Sequence, residues 1–302
     1  WELFVGFIPP LTNDKWIDYF ELYKTIPEFS EQNYNMTLNE FKVIFWWEWG
    51  HRQLGRLIGL TVLLPLIYFT IKNGFWILKK YGIILILICL QGFFGWYMVK
   101  SGLVDRPDVS HYRLAMHLTT AFITFAATFW VALGLMFPAT DHPGPLWSKV
   151  GPWVKAAYLL LMIQIIWGAF VAGLDAGWLH NHWPLMNDGL LMHESVLKEL
   201  NPIWRNFIEG KSGVQFIHRN LAYVVVILIV RVAYLGLKEA KTKFQKKLAY
   251  GIITCVCIQF LLGVLTLLWQ VPLALGLIHQ VMAFVLLALM TLTWHRYKYD
   301  TN

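Results

Sequence analysis

Apolar residues fall in long blocks along this chain, separated by polar stretches. A helix needs about 20 mostly apolar residues to cross the hydrocarbon core of a bilayer. Seven segments meet that length: Leu54–Ile71, Ile83–Val99, Leu114–Phe137, Val154–Val171, Leu221–Leu237, Leu248–Trp269 and Leu273–Trp294. Three long connections, Trp1–Gly50, Ser101–Arg113 and Asp175–Arg219, separate them, and Gln270–Pro272 reads as a tight turn. The pattern predicts an all-α integral membrane protein.

Composition agrees with the pattern. The 302 residues are 57% hydrophobic and 14% charged, whereas soluble domains are about 25% charged. Sixteen tryptophans suit membrane–water interfaces. The net charge of +7 forms no basic patch clear of the apolar blocks, so nucleic acid is not an expected partner; the lipid bilayer is. Position explains the charge better. Thirteen of the 25 cations lie in the short loops of one side, with only Asp141, Glu239 and Asp300 for company. The opposite side carries fifteen of the 18 acids in longer loops. The lysine-rich side is therefore expected to face the cytoplasm or matrix, and the acidic side the periplasm or intermembrane space. Cys89, Cys255 and Cys257 all lie inside apolar blocks and read as packing residues.

The chain repeats itself. Glu48-Trp49-Gly50-His51-Arg52 matches Gln215-Phe216-Ile217-His218-Arg219, each with a polar residue three positions before a His-Arg pair that opens a span. His117 and His279 head later spans, each followed at the same offset by Ala-Phe. Gln91 and Gly95, Gln164 and Gly168, and Gln259 and Gly263 repeat a Gln–Gly spacing of four. The repeat predicts two pseudo-symmetric four-helix bundles, residues 1–145 and 146–302. The first bundle then lacks its opening helix, so an eighth span is expected before Trp1.

The four repeated histidines all fall at the outer ends of their spans. Two imidazoles opposed inside a helical bundle are suited to haem iron, which needs only two axial ligands. Zinc prefers four ligands, and each half offers two histidines without a thiol. A single interfacial histidine more often makes a hydrogen bond than ligates, but four at repeated places favour ligation. His111, His142, His180, His182, His193 and His295 have no repeat partner and read as loop or interface residues. Glu48 breaks the symmetry: it lies one turn from His51, where the other half has neutral Gln215. That asymmetry predicts chemistry in one half and electron storage or transfer in the other; helix capping or pairing with Arg52 is the plainer account. Arg52, Arg56, Arg113 and Arg219 lie near the same surface, where guanidinium suits haem propionates and also ordinary interfacial anchoring. Within Trp1–Gly50, the mixed pattern from Trp16 to Tyr23 predicts short interfacial helices over the first-half pocket, as a lid or as scaffold packing.

Several stretches resemble the haem A synthase family, in its alpha-proteobacterial and mitochondrial form, and together they cover nearly the whole chain. They are Phe7-Ile8-Pro9-Pro10-Leu11, Tyr23 through Phe29, and Phe41 through Gly59. Tyr112-Arg113-Leu114 before His117, Gly168 through Gly177, Trp183-Pro184-Leu185-Met186, and Val214-Gln215-Phe216 before His218-Arg219 continue the match. The resemblance implies oxidation of the haem O C8 methyl to a formyl group, giving haem A for cytochrome oxidase. It implies haem b held by His218 and His279, with Arg219 beside them. Haem O would enter between His51 and His117, near Arg52, Arg56 and Arg113, with Glu48 close to the reacting carbon. The outer loops lack the cysteine pair of some family members, so a thiol-dependent mechanism is not expected. Expected partners are haem O, haem O synthase, cytochrome oxidase assembly factors and an electron-transfer protein, with a homo-oligomer also compatible. The expected location is the bacterial or mitochondrial inner membrane. The competing readings are a dihaem cytochrome passing electrons from quinol and, far less favoured, a transporter.

Overall fold

The computed structural model describes residues 6–102, 109–137, 145–189 and 191–299. All regular structure among them is helical: α1 (Asn13–Tyr23), α2 (Pro27–Glu31), α3 (Leu38–Asn73), α4 (Trp76–Gly102), α5 (His111–Met136), α6 (Pro145–Gly173), α7 (Ser195–Lys198), α8 (Lys211–Glu239), α9 (Lys243–Leu268) and α10 (Leu273–Tyr299). Seven of these helices, α3 to α6 and α8 to α10, are long and apolar enough to cross a membrane. The seven expected spans are therefore all present. The chain divides into two compact units, Trp1–Thr120 and Ala121–Asn302.

In the first unit, α3 is longer than the apolar block it contains. It has 36 residues, so at 1.5 Å per residue it is about 54 Å long, well beyond a core of about 30 Å. Its start is fixed by a capping box, in which Thr37 accepts from the Glu40 N–H and the Glu40 carboxylate accepts from the Thr37 N–H. Residues 38–50 are thus the first third of a span, and only α1 and α2 form separate short helices ahead of it. The extension has an aromatic partner. Trp16, Phe20 and Tyr23 of α1 pack against Phe41 and Phe45 of α3, with Trp16 edge-on to Phe45 at 4.9 Å. Burial and the neighbouring Glu28 push the Tyr23 phenol up to about 12, so it remains the donor to Glu28 Oε1 (3.0 Å).

In the second unit, α6 packs on α8, α8 on α9, α9 on α10 and α10 on α6, closing a four-helix ring. The second half of α5 joins it, stacking Phe122 on Phe284 at 3.8 Å. The inner half of the ring is tightly filled: Val154, Ala157, Ile229, Val232, Ala249, Ile252, Leu287 and Met290 are all fully buried. Toward the outer end this changes. The last buried residue of α9 is Val256 and the first of α10 is Leu286, so the outer stretches carrying Gln259 and His279 contribute none. At that end α9 and α10 meet through the His279 ring, which lies against Gly263 and Gln259.

The connection between α6 and α8 closes over that outer end as an ordered cap. Asn206 is fully buried; its Oδ1 accepts from the Leu200 N–H (2.7 Å), and its Nδ2 donates to the carbonyls of Leu200 (2.9 Å) and Ile203 (3.0 Å). The Glu199 carboxylate accepts from the first N–H groups of α8, at Lys211 (2.9 Å) and Ser212 (3.1 Å), where the helix dipole favours an anion. Gly213 lets the cap approach closely, since a Cβ there would collide with the Asn206 carbonyl. Asn206→Ala is expected to destabilise the cap by about 1–3 kcal/mol, because it orphans buried main-chain groups. Limited proteolysis should then show cleavage between residues 191 and 210 at protease levels that leave the parent chain intact.

Candidate functional site

The repeated histidines come together in pairs. In the first unit the rings of His51 on α3 and His117 on α5 lie 6.5 Å apart, centroid to centroid, with planes at 69°. Two metal–imidazole bonds of about 2 Å, plus about 1 Å from each nitrogen to its ring centre, put two axial rings about 6 Å apart. The observed spacing suits that arrangement. In the second unit His218 on α8 and His279 on α10 are close enough to interact electrostatically. His117, His218 and His279 lie six, seven and six residues in from the first residue of their helices. His51 lies thirteen residues into α3 because of the outward extension.

A feature the histidine pattern alone did not reveal surrounds three of the rings. A Cβ on Gly95 would lie 2.9 Å from His117 Cε1, one on Gly168 3.1 Å from His218 Cε1, and one on Gly263 2.9 Å from His279 Cε1. One turn before each glycine, a glutamine reaches the same ring: Gln91 at 3.4 Å from His117, Gln164 at 3.1 Å from His218 and Gln259 at 3.3 Å from His279. The Gln–Gly spacing of four was visible in the sequence; its partner was not. Residues four apart share a helix face, but spacing alone does not say which neighbour they meet. Among the described residues, no glycine approaches His51 in this way.

The remaining candidates are distributed unevenly. Glu48 and His51 are exposed, whereas Gln215 is 2% exposed and donates to the Ala176 carbonyl (2.9 Å). Glu48 also lies within electrostatic reach of Arg52. Arg56 stacks on Phe7 at 4.0 Å, and the Gly6 carbonyl accepts from Trp49 (2.9 Å) and Gln53 (3.0 Å), tying the residues before α1 to α3 near His51. Arg113 donates to the Tyr97 carbonyl (2.9 Å) and stacks on its ring (3.9 Å), joining α4 to α5. Arg219 donates to the carbonyls of His180 (3.2 Å), His182 (2.7 Å), Pro184 (3.3 Å) and Leu185 (3.1 Å). Its visible work is to hold the outer cap down. His180 and His193, left as loop residues by the repeat, belong to that cap as well, with His180 Nε2 3.0 Å from Ser212 Oγ and His193 Nδ1 2.8 Å from Ser195 Oγ.

These residues fit haem better than a bare ion. Among the described residues, no group of three or more His, Cys, Asp or Glu is gathered to hold a metal ion. The donors come as imidazole pairs, three of them notched by glycine. In the second unit the pair stands beyond the buried inner packing of α9 and α10. His117 Nδ1 and the Oε1 atoms of Gln91, Gln164 and Gln259 are buried without a hydrogen-bond partner.

Comparison with known proteins extends this reading. The profile of the COX15-CtaA family, described as cytochrome oxidase assembly protein, matches residues 1–291. The chain is 49% identical to the heme A synthase of Flavobacterium psychrophilum over 277 residues, which is 90% of this chain and 81% of that protein. It is 42% identical to the heme A synthase of Rhizobium etli over 275 residues (90% and 74%) and 41% identical to that of Rhodospirillum centenum over 270 residues (89% and 71%). The chain belongs to the haem A synthase family.

Proposed function

We propose that the chain is a haem A synthase, oxidising the C8 methyl of haem O to the formyl group of haem A for cytochrome oxidase. The observation that carries the reading is the pair of histidine sites differing at one position. Exposed Glu48 stands one turn from His51, and buried Gln215 stands one turn from His218. Relatives named heme A synthase, at up to 49% identity across most of this chain, support the same activity.

In this reading His218 and His279 hold haem b, which when bound supplies one-electron redox chemistry. Gln215, neutral and committed to the Ala176 carbonyl, adds no charge beside that pair. His51 and His117 receive haem O as substrate. Arg56 and Arg113, each stacked on an aromatic ring, line the same end of the first unit and present cationic faces suited to propionates. Glu48, one turn from His51, is the residue that accepts a proton as the methyl carbon is oxidised. The acidic, longer-looped side carrying these residues faces the periplasm or intermembrane space.

Co-expressing the chain with a haem O supply in a host lacking haem A, then extracting and separating the pigments, tests the activity. A formyl haem at the retention of haem A is the expected product. Haem O alone, from protein that carries haem b, would contradict the reading and point to an electron-transfer cytochrome.

A further inference from the structure

We infer that Gln164 and Gln259, each with the glycine one turn on, are positioning residues that set the rotation and ring-nitrogen hydrogen bond of His218 and His279. This rests on the proposal that these histidines ligate haem iron, and it assigns those ligands a second set of residues.

The arrangement occurs twice, on two different pairs of helices; in the first unit Gly95 notches the His117 ring, but Gln91 Nε2 lies 3.4 Å from its Nε2 and His117 Nδ1 has no partner. A ring edge enters the notch left by the missing Cβ, within 2.9 to 3.1 Å of where that atom would lie. Real Cβ atoms essentially never sit as close as 2.9 Å, so an alanine at Gly95 or Gly263 forces the ring to turn or the helices to part; at Gly168, 3.1 Å, the ring must give by a few tenths of an ångström. The notch therefore fixes the ring about its Cβ–Cγ bond. The glutamine then addresses the nitrogens. Gln164 Nε2 lies 3.1 Å from His218 Nδ1 while donating to the His218 main-chain carbonyl (3.0 Å), and Gln259 Nε2 lies 3.3 Å from His279 Nδ1. The main-chain carbonyl of each glutamine faces the same ring.

An imidazole that gives Nε2 to iron carries its proton on Nδ1, and that proton needs an acceptor. The carboxamide oxygens of all three glutamines are buried and have no hydrogen-bond partner. A half-turn of the Gln164 or Gln259 amide brings that oxygen within reach of Nδ1, for Gln164 in exchange for its bond to the His218 carbonyl. Ligating histidines are usually oriented by such an outer acceptor, and its removal typically weakens metal retention or activity 10- to 100-fold. An acceptor on Nδ1–H makes the imidazole a stronger donor and favours ferric over ferrous iron. Its loss should therefore raise the midpoint potential, and a stronger acceptor should lower it.

The test uses the full chain purified in detergent, with haem b content, potentiometric titration and low-temperature EPR as readouts. Gln164→Leu is expected to raise the haem b midpoint by about 59 mV, a tenfold change in the ferric/ferrous affinity ratio for one electron. Gln164→Glu is expected to lower it. Opposite shifts are a signature that a merely structural role would not produce. Gly263→Ala, whose Cβ would lie 2.9 Å from His279 Cε1, is expected to lose haem about tenfold. Both glutamine variants at the parent potential with parent EPR signals would overturn the assignment. Parent protein that binds no haem would instead overturn the ligand reading beneath it.

Discussion

Replacing His218 by alanine is expected to cut haem b content at least about tenfold while the helices stay folded, and replacing His51 should leave haem b in place and abolish haem A formation. The asymmetry follows from the two units. His218 is held by Gln164 and Gly168 of α6, under a cap tied down by Asn206 and Arg219. Removing its ring deletes one of two iron ligands but leaves the fully buried inner packing of Ile229, Ile252 and Met290 untouched. His51 instead pairs with His117, 6.5 Å away, one turn from Glu48. Haem content by pyridine haemochrome, read beside product chromatography for both variants, checks the pair. Equal loss of haem b from both would contradict the division of labour.

Glu48→Gln is expected to lower haem A formation by about 10²- to 10⁴-fold, the usual range for a lost acid–base group, with haem b content unchanged. The substitution makes the first site resemble the second, where Gln215 already occupies the matching position. It alters one charge at an exposed residue, so folding should be indifferent to it. The reciprocal change is informative too. Gln215→Glu buries a carboxylate against the Ala176 carbonyl and should destabilise the second unit rather than confer a second activity. Parent-level product from Glu48→Gln would remove this carboxylate from the chemistry.

Much of this was legible in the sequence because membrane spans and internal repeats are long-range, redundant signals. Seven apolar blocks, the turn at Gln270–Val271 with its two positive-φ residues, and the four histidines at matching places all have structural counterparts. What hydropathy hid was the outward extension of α3. Leu38 to Trp49 mixes charge with aromatics and so reads as interfacial, although Thr37-x-x-Glu40 is a capping-box signal for a helix start. Arg219 shows a second limit. A guanidinium near a haem site suggests a propionate, yet its hydrogen bonds go to four main-chain carbonyls of a loop more than thirty residues away. The glutamine–glycine notches show a third: their spacing was plain, but their meaning needed the neighbouring helix. Glu199 left no local trace at all, because it caps a helix twelve residues further on.

Low-temperature EPR of the purified full-length chain in its oxidised state tests the central claim most directly. The paired imidazoles predict low-spin, six-coordinate ferric haem b with two nitrogenous axial ligands in the parent protein, and loss of that signal in His279→Ala. A high-spin, five-coordinate signal in the parent, or a low-spin signal that survives His279→Ala unchanged, would contradict it.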